Sequence, residues 1–168
     1  MSKINENFES ILKNVKDLLF IAVKKRDHPY HTPVFISISK EIPESRIVVL
    51  RNFDEKNLIL TFHTDYRSPK VKALKSNNNS SMLFYDTKTK IQLRIKTLSI
   101  INNQNRVTKY AWNASTLSSR KCYLTTLSPS SITIMPEDGI PDHLTGTDPS
   151  KNESEKGYAN FTVIQNKI

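Results

Sequence analysis

The first 138 residues of this 168-residue chain contain no glycine; its three glycines are Gly139, Gly146 and Gly157. A phosphate-cradling P-loop, a dinucleotide-binding fingerprint and a glycine-flanked nucleophile elbow all need backbone that glycine supplies. None of them can be built upstream of residue 139. The single cysteine, Cys122, excludes a disulfide framework and a cysteine-rich zinc site. No run approaches the ~18 apolar residues of a membrane span. The opening MSKINENFES lacks the basic-then-apolar plan of a signal peptide. The expectation is one cytoplasmic domain over 1–168, with no membrane partner.

Charge is unevenly spread. The chain carries 25 Lys+Arg against 16 Asp+Glu, a net +9. Residues 135–157 hold six acids and two lysines, a net −4, so the rest of the chain carries +13. The acidic stretch, rich in Pro, Gly and Ser, reads as a mobile loop. The basic remainder suits an anionic ligand. Nucleic acid is not expected, because a recognition helix, an aromatic sheet motif and a clustered basic run are all missing.

Residues 7–24 place Phe8, Ile11, Leu12, Val15, Leu18, Leu19, Ala22 and Val23 at helical spacing, with lysines on the other face. Short β-like runs follow at Val34–Ser39, Arg46–Phe53, Leu58–Thr64, Ser81–Tyr85 and Ile91–Ile101, joined at Glu41–Ser45, Asp54–Asn57 and Thr87–Lys90. The run Arg46–Phe53 reads as one strand buried on both faces. Gln92, Arg94 and Lys96 alternate with Leu93, Ile95 and Thr97, a strand with one dry face. Helices are expected over Pro69–Leu74, Val107–Thr116 and Ser118–Leu124, and final strands at Ser131–Ile134 and Tyr158–Gln165. The pattern is mainly β with flanking helices, an antiparallel sheet closing into a small barrel.

Leu60–Lys70 is the most informative stretch. A strand ends near Thr64, Asp65-Tyr66-Arg67 turn, and a helix opens at Ser68-Pro69-Lys70. Ser68 suits the N-cap and Pro69 the first helical position. Free amides at that helix start, hydroxyls of Thr64 and Ser68 and cations of Arg67 and Lys70 together compose a phosphate site. Arg46 and Arg51 bracket an apolar strand, where an arginine needs a partner. His28 and His31 are separated by proline and read as turn and packing residues. His143 reads as solvent-facing, Cys122 as a buried structural thiol, and Trp112 as packing.

With these residues assembled, the sequence resembles the pyridoxamine 5'-phosphate oxidase family of FMN-binding split-barrel proteins, from about His28 onward. Arg46-Ile-Val-Val-Leu-Arg51 is similar to that family's flavin strand, and Phe62–Lys70 to its phosphate loop. Leu83-Phe-Tyr85 and Ile91-Gln-Leu-Arg-Ile95 follow in register, while Trp112 and Ser119–Tyr123 resemble an oxidase-related branch. The resemblance implies a six-stranded antiparallel, Greek-key split barrel, homodimeric, with FMN at the subunit interface. By position, Arg46 and Lys70 would grip the FMN phosphate with Ser68 and Thr64. Val48, Val49 and Leu50 would run past the flavin, His63 would contact it, and Gln92 would bond it across the dimer; Arg51 would replace the family's usual Lys, which in the vitamin B6 enzyme also approaches the substrate phosphate. Arg67 would replace the family arginine lost to Pro69. Family members usually continue beyond the position of Ile168 through a Trp and a basic, histidine-bearing segment. Lys109–Arg120 also lacks the spaced Tyr and Arg that hold the substrate phosphate in the vitamin B6 enzyme. The implied activity is a flavin-dependent oxidoreductase on a small substrate; the alternative is a non-catalytic flavin- or haem-binding protein.

Overall fold

The computed structural model describes residues 7–168. Residues 1–6, part of the segment read above for a leader, lie outside the described residues. Helix α1, Phe8–Lys24, starts where Asn7 Oδ1 accepts the Ser10 N–H at 2.8 Å. Its apolar stripe buries Leu19 and Ala22 against the sheet, with Val15, Leu18 and Val23 packed beside them. The chain then breaks at Pro29–His31, where the buried His31 ring bonds the Ala22 carbonyl oxygen at 2.6 Å and fixes the helix end.

Seven strands form one antiparallel sheet: β1 Val34–Ser39, β2 Ile42–Ile47, β3 Asn52–Asp54, β4 Ile59–Asp65, β5 Asn79–Tyr85, β6 Gln92–Asn103 and β7 Phe161–Lys167. Their order is β2-β1-β5-β6-β7-β4-β3. The extra strand comes from the run Arg46–Phe53, which is not one strand. β2 pairs with β1 as far as Ile47, and β3 pairs with β4. Between them, Val48 N and Leu50 N donate to the Pro33 and His31 carbonyls at 3.0 and 2.8 Å, and Arg51 N donates to Thr61 O at 2.8 Å. This segment therefore bridges the two ends of the sheet and curls it round one core. Val48 and Leu50 point into that core with Phe35, Phe62, Met82 and Phe84. Ile47, read as buried, is 70% exposed, because only one face of β2 meets the interior.

Scarcity of glycine marks the turns. Ser39 pairs with Ile42, so the β1–β2 joint is the two-residue turn Lys40–Glu41 rather than Glu41–Ser45. Both turn residues take positive φ, 48° and 68°, as the matching hairpin geometry requires.

Helix α2, Pro69–Ser76, follows β4, and helices α3, Arg106–Ala114, and α4, Leu117–Lys121, follow β6. Four further expectations fail from the end of α4 onward. Ser131–Ile134 forms no strand; Ile132 and Ile134 alternate correctly but project fully exposed, with no strand edge beside them. The acidic stretch 135–157 is not simply a loop. It holds a short 3-10 turn, Asp142–Leu144, and helix α5, Lys151–Glu155. The Glu155 carboxylate accepts from Trp112 Nε1 and from Arg120 Nη1, both at 2.9 Å, which docks α5 on α3 and α4. Cys122 is exposed, not buried; its Sγ–H donates to the Ser119 carbonyl at 3.3 Å at the end of α4. Trp112, Tyr123, Phe161 and Val163 make a second, smaller core under α3. β7 begins at Phe161 rather than Tyr158, since Lys156–Asn160 is still a 3-10 turn.

Candidate functional site

β4 separates two polar regions, because successive side chains of a strand face opposite ways. Leu60, Phe62 and Thr64 turn inward and are buried. Thr61 and His63 turn to the other face, toward α3.

On the Thr64 side the structure gathers Arg46, Thr64, Ser68 and Lys70. Lys70 Nζ donates to Thr64 Oγ1 at 3.0 Å. Arg46 lies over the Phe35 ring, 5.8 Å from its centroid, and donates to Ser37 Oγ at 2.7 Å, to Glu44 O at 2.9 Å and to a Glu44 carboxylate oxygen at 2.9 Å. Burial and then the nearby Arg46 charge hold the Lys70 ammonium below its usual range. Burial also pulls Arg46 down, against the opposing pull of Glu44. Two cations thus share a partly dry corner, with Glu44 paired to Arg46 and Asp65 acting on Lys70 as the nearby negative charges.

Ser68 adds the deciding detail. It occupies the N-cap of α2, yet its hydroxyl makes no capping bond. Its Oγ is buried and has no hydrogen-bond partner among the described residues. A buried hydroxyl left unpaired is costly and calls for an explanation. The helix start supplies fewer amides than expected: Pro69 has none, and Val71 N is taken by the Ser68 carbonyl at 3.0 Å. The site is therefore a cradle of side chains.

Arg67 does not join it. Its guanidinium is spent on Asp65, down to 2.7 Å, and on Thr125 O and Oγ1, both at 3.0 Å, which pins the 125 segment to the β4 turn. Gln92 is also apart; it sits exposed at the start of β6 and makes no side-chain hydrogen bond among the described residues. Val48 and Leu50 are core residues, so only the half-buried Val49 and the exposed Arg51 turn outward from that segment.

Arg51 and His63 meet on the opposite side, in a cavity of about 490 Å³ between β4, β7 and α3. Burial, and secondarily Arg51, push the His63 imidazole down to about 4. Its ring stands edge-on to Phe161 at 4.9 Å. Arg26, Tyr110, Thr116, Ser119 and Gln165 also line this cavity, and none was legible as a site residue. Thr116 and Ser119 meet locally, the Thr116 hydroxyl accepting the Ser119 N–H at 3.2 Å at the start of α4, whereas Arg26, Tyr110 and Gln165 come from separate parts of the chain. Ser37 and Glu44, which hold Arg46, were equally unannounced; they face each other across the β1–β2 register.

The family model for the pyridoxamine 5'-phosphate oxidase FMN-binding domain matches residues 12–102, more than half of the chain. The chain belongs to this FMN-binding family. Its matched part carries the whole Arg46–Thr64–Ser68–Lys70 cradle. The Arabidopsis thaliana protein pyridoxine/pyridoxamine 5'-phosphate oxidase 2 is 31% identical over 120 residues, 65% of this chain; the chain spans 60% of that relative's length. Among solved structures, a pyridoxamine 5'-phosphate oxidase-related, FMN-binding protein from Nostoc punctiforme aligns with TM-score 0.66 and 16% identity, over 92% of this chain and 78% of that one. PhzG from Burkholderia lata aligns with TM-score 0.67 and 13% identity, over 99% and 83%. At such identities these likenesses show the fold. The family's cofactor is FMN, and the residues present fit it: the neighbouring cations Arg46 and Lys70, with a buried Ser68 hydroxyl that has no partner among the described residues at the start of the helix carrying Lys70, suit a phosphate monoester.

Proposed function

We propose that the protein is a flavin-dependent oxidoreductase working as a homodimer, a split barrel in which β2 and β3 count as one bent strand of six. Arg46 and Lys70 would take the FMN phosphate, with Ser68 Oγ donating to it and Thr64 Oγ1 orienting the ammonium. The outward face of Val49–Arg51 would lie along the flavin. Bound FMN would supply hydride acceptance and return; the chain would supply position and charge. Phosphate in the cradle would relieve the Arg46–Lys70 repulsion and draw Arg46 away from Glu44. The observation that carries this reading is the orphaned Ser68 hydroxyl at the N-cap of α2, the helix that carries Lys70.

The dimer is favoured by Leu98 and Ile100, about half exposed on the outer face of β6, the strand that also presents Gln92. Gln92 would then reach the partner's flavin. Two measurements test the proposal: the visible spectrum of the purified full chain before and after adding FMN, and its mass by light scattering. A yellow dimer holding one FMN per chain is expected. A colourless monomer that leaves FMN fluorescence unquenched would refute it, and a Soret band would point to haem. Oxygen uptake with pyridoxamine 5'-phosphate then separates an oxidase from a flavin carrier.

A further inference from the structure

The two edges of the Arg46 guanidinium are held differently. Nη1 donates to Ser37 Oγ at 2.7 Å and to the Glu44 carbonyl at 2.9 Å. Ser37 is fully buried, and the β1–β2 ladder fixes both acceptors by pairing Ser37 with Glu44 and Phe35 with Arg46. The Phe35 ring lies under the guanidinium and sets its plane. The opposite edge, Nε and Nη2, is the fork that can grip a phosphate with two parallel bonds. Among the described residues that edge has one partner, a Glu44 carboxylate oxygen 2.9 Å from Nη2, and the carboxylate is bonded to nothing else. Glu44 and Arg46 stand two apart on β2 and face the same way, on a strand with no neighbour beyond it. The Glu44 side chain is 41% exposed against 21% for Arg46, so it can turn to water while the guanidinium stays. Asp65, the acid that acts on Lys70, has no such freedom; it is buried and committed to Arg67.

We propose that Glu44 is a built-in competitor of the phosphate cradle: its carboxylate holds the Nε–Nη2 edge of Arg46 and must be displaced before any phosphate can take that edge. The inference rests on the cradle reading of Arg46 and Lys70. It adds a residue that acts against binding, where Ser37 and the Glu44 carbonyl act for it by keeping Arg46 in place.

A carboxylate and a phosphate present the same pair of anionic oxygens to a guanidinium, so the two compete for one fork. Displacing Glu44 exchanges one charge-assisted bond for another. An ion pair this exposed is weak, a factor of about five or less in an equilibrium constant. Repulsion between the displaced carboxylate and the arriving phosphate adds to the cost, because Glu44 moves no farther than its own side chain reaches. Every phosphate ligand bears the same cost. Inorganic phosphate has only the cradle to bind, so the cost keeps the cradle open. A phosphate carried on a larger body has further contacts and still fills it, with a looser hold than the cations alone would give. Removing the Glu44 charge leaves the anchors of Nη1 in place, since one is Ser37 and the other is backbone.

The test compares the full chain with Glu44→Gln and Ser37→Ala in phosphate-free buffer. FMN and riboflavin are titrated by flavin fluorescence, and inorganic phosphate by the shift of the Arg46 Nε–H resonance. Glu44→Gln should bind FMN and inorganic phosphate tighter by one common factor, about three- to tenfold, and leave riboflavin affinity unchanged. Ser37→Ala should move FMN and phosphate the other way, again with riboflavin unchanged. The sign decides: weaker or equal FMN binding by Glu44→Gln would make Glu44 a holder of Arg46 and overturn the proposal. A gain for riboflavin as large as that for FMN, or a gain for FMN without one for inorganic phosphate, would overturn it as well. If the wild-type chain binds no FMN, the flavin reading fails by itself, and the inorganic phosphate titrations still decide whether Glu44 competes; phosphate that leaves the Arg46 resonance unmoved in all three proteins refutes the competition.

Discussion

Replacing Ser68 by Ala should have opposite effects on the empty and the loaded protein. In the structure the Ser68 hydroxyl is buried, has no hydrogen-bond partner among the described residues, and does not cap α2. An unsatisfied buried polar group costs roughly 1–3 kcal/mol, so its removal should stabilise by about 1 kcal/mol after allowing for the lost packing of one oxygen. For a domain of this size that is about 2–4 °C in melting temperature. With FMN, the same hydroxyl would donate to a charged phosphate oxygen, a bond of about 1.5–3 kcal/mol. Affinity should then fall about 10–100-fold, at a factor of ten per 1.4 kcal/mol. Thermal melts with and without FMN, with fluorescence titration of the flavin, read both numbers. A lower melting temperature for the empty variant together with unchanged FMN affinity would show that Ser68 is an ordinary structural residue, and the cradle argument would fail.

Three other predictions concern stability. Lys40→Asn with Glu41→Gly supplies the residues that positive φ favours in the β1–β2 turn, and should raise stability by about 1 kcal/mol in a urea melt. His63 is held near 4 in the folded chain against an ordinary 6.5. Between those values the unfolded chain binds more protons, so stability should climb as pH rises from about 4 to 6.5 and level off above; His63→Gln should flatten that slope. Glu155→Gln removes the charge that faces the buried Arg120, and should cost about 1–2 kcal/mol, discounted for the carboxylate's partial exposure, with a shift in Trp112 fluorescence.

What the sequence disclosed depended on distance along the chain. Thr64, Ser68 and Lys70 fall within one strand, turn and helix, so their meeting was legible from spacing alone. Arg46 joined them through the family resemblance. Its holders were not legible, because Ser37 and Glu44 become neighbours only through the β1–β2 register. Arg67 looked like a free cation because its commitment runs to Thr125, 58 residues away, as well as to Asp65. The run Arg46–Phe53 read as one strand since apolar alternation does not reveal where a strand changes partners. Net charge in 135–157 suggested mobility, yet one carboxylate of that segment, Glu155, has two buried partners on α3 and α4. The cavity with His63 at its wall is the least local feature, assembled from α1's end, both flanking strands and α3.

Comparing FMN with riboflavin addresses the cradle at its centre, since the two ligands differ only in the phosphate. Fluorescence titration of the wild-type chain, Arg46→Gln and Lys70→Gln should show FMN bound at least a hundredfold tighter than riboflavin by the wild type, with most of that preference lost in each variant and riboflavin affinity little changed. Equal affinities for the two flavins in the wild type, or a preference that survives both substitutions, would contradict the account.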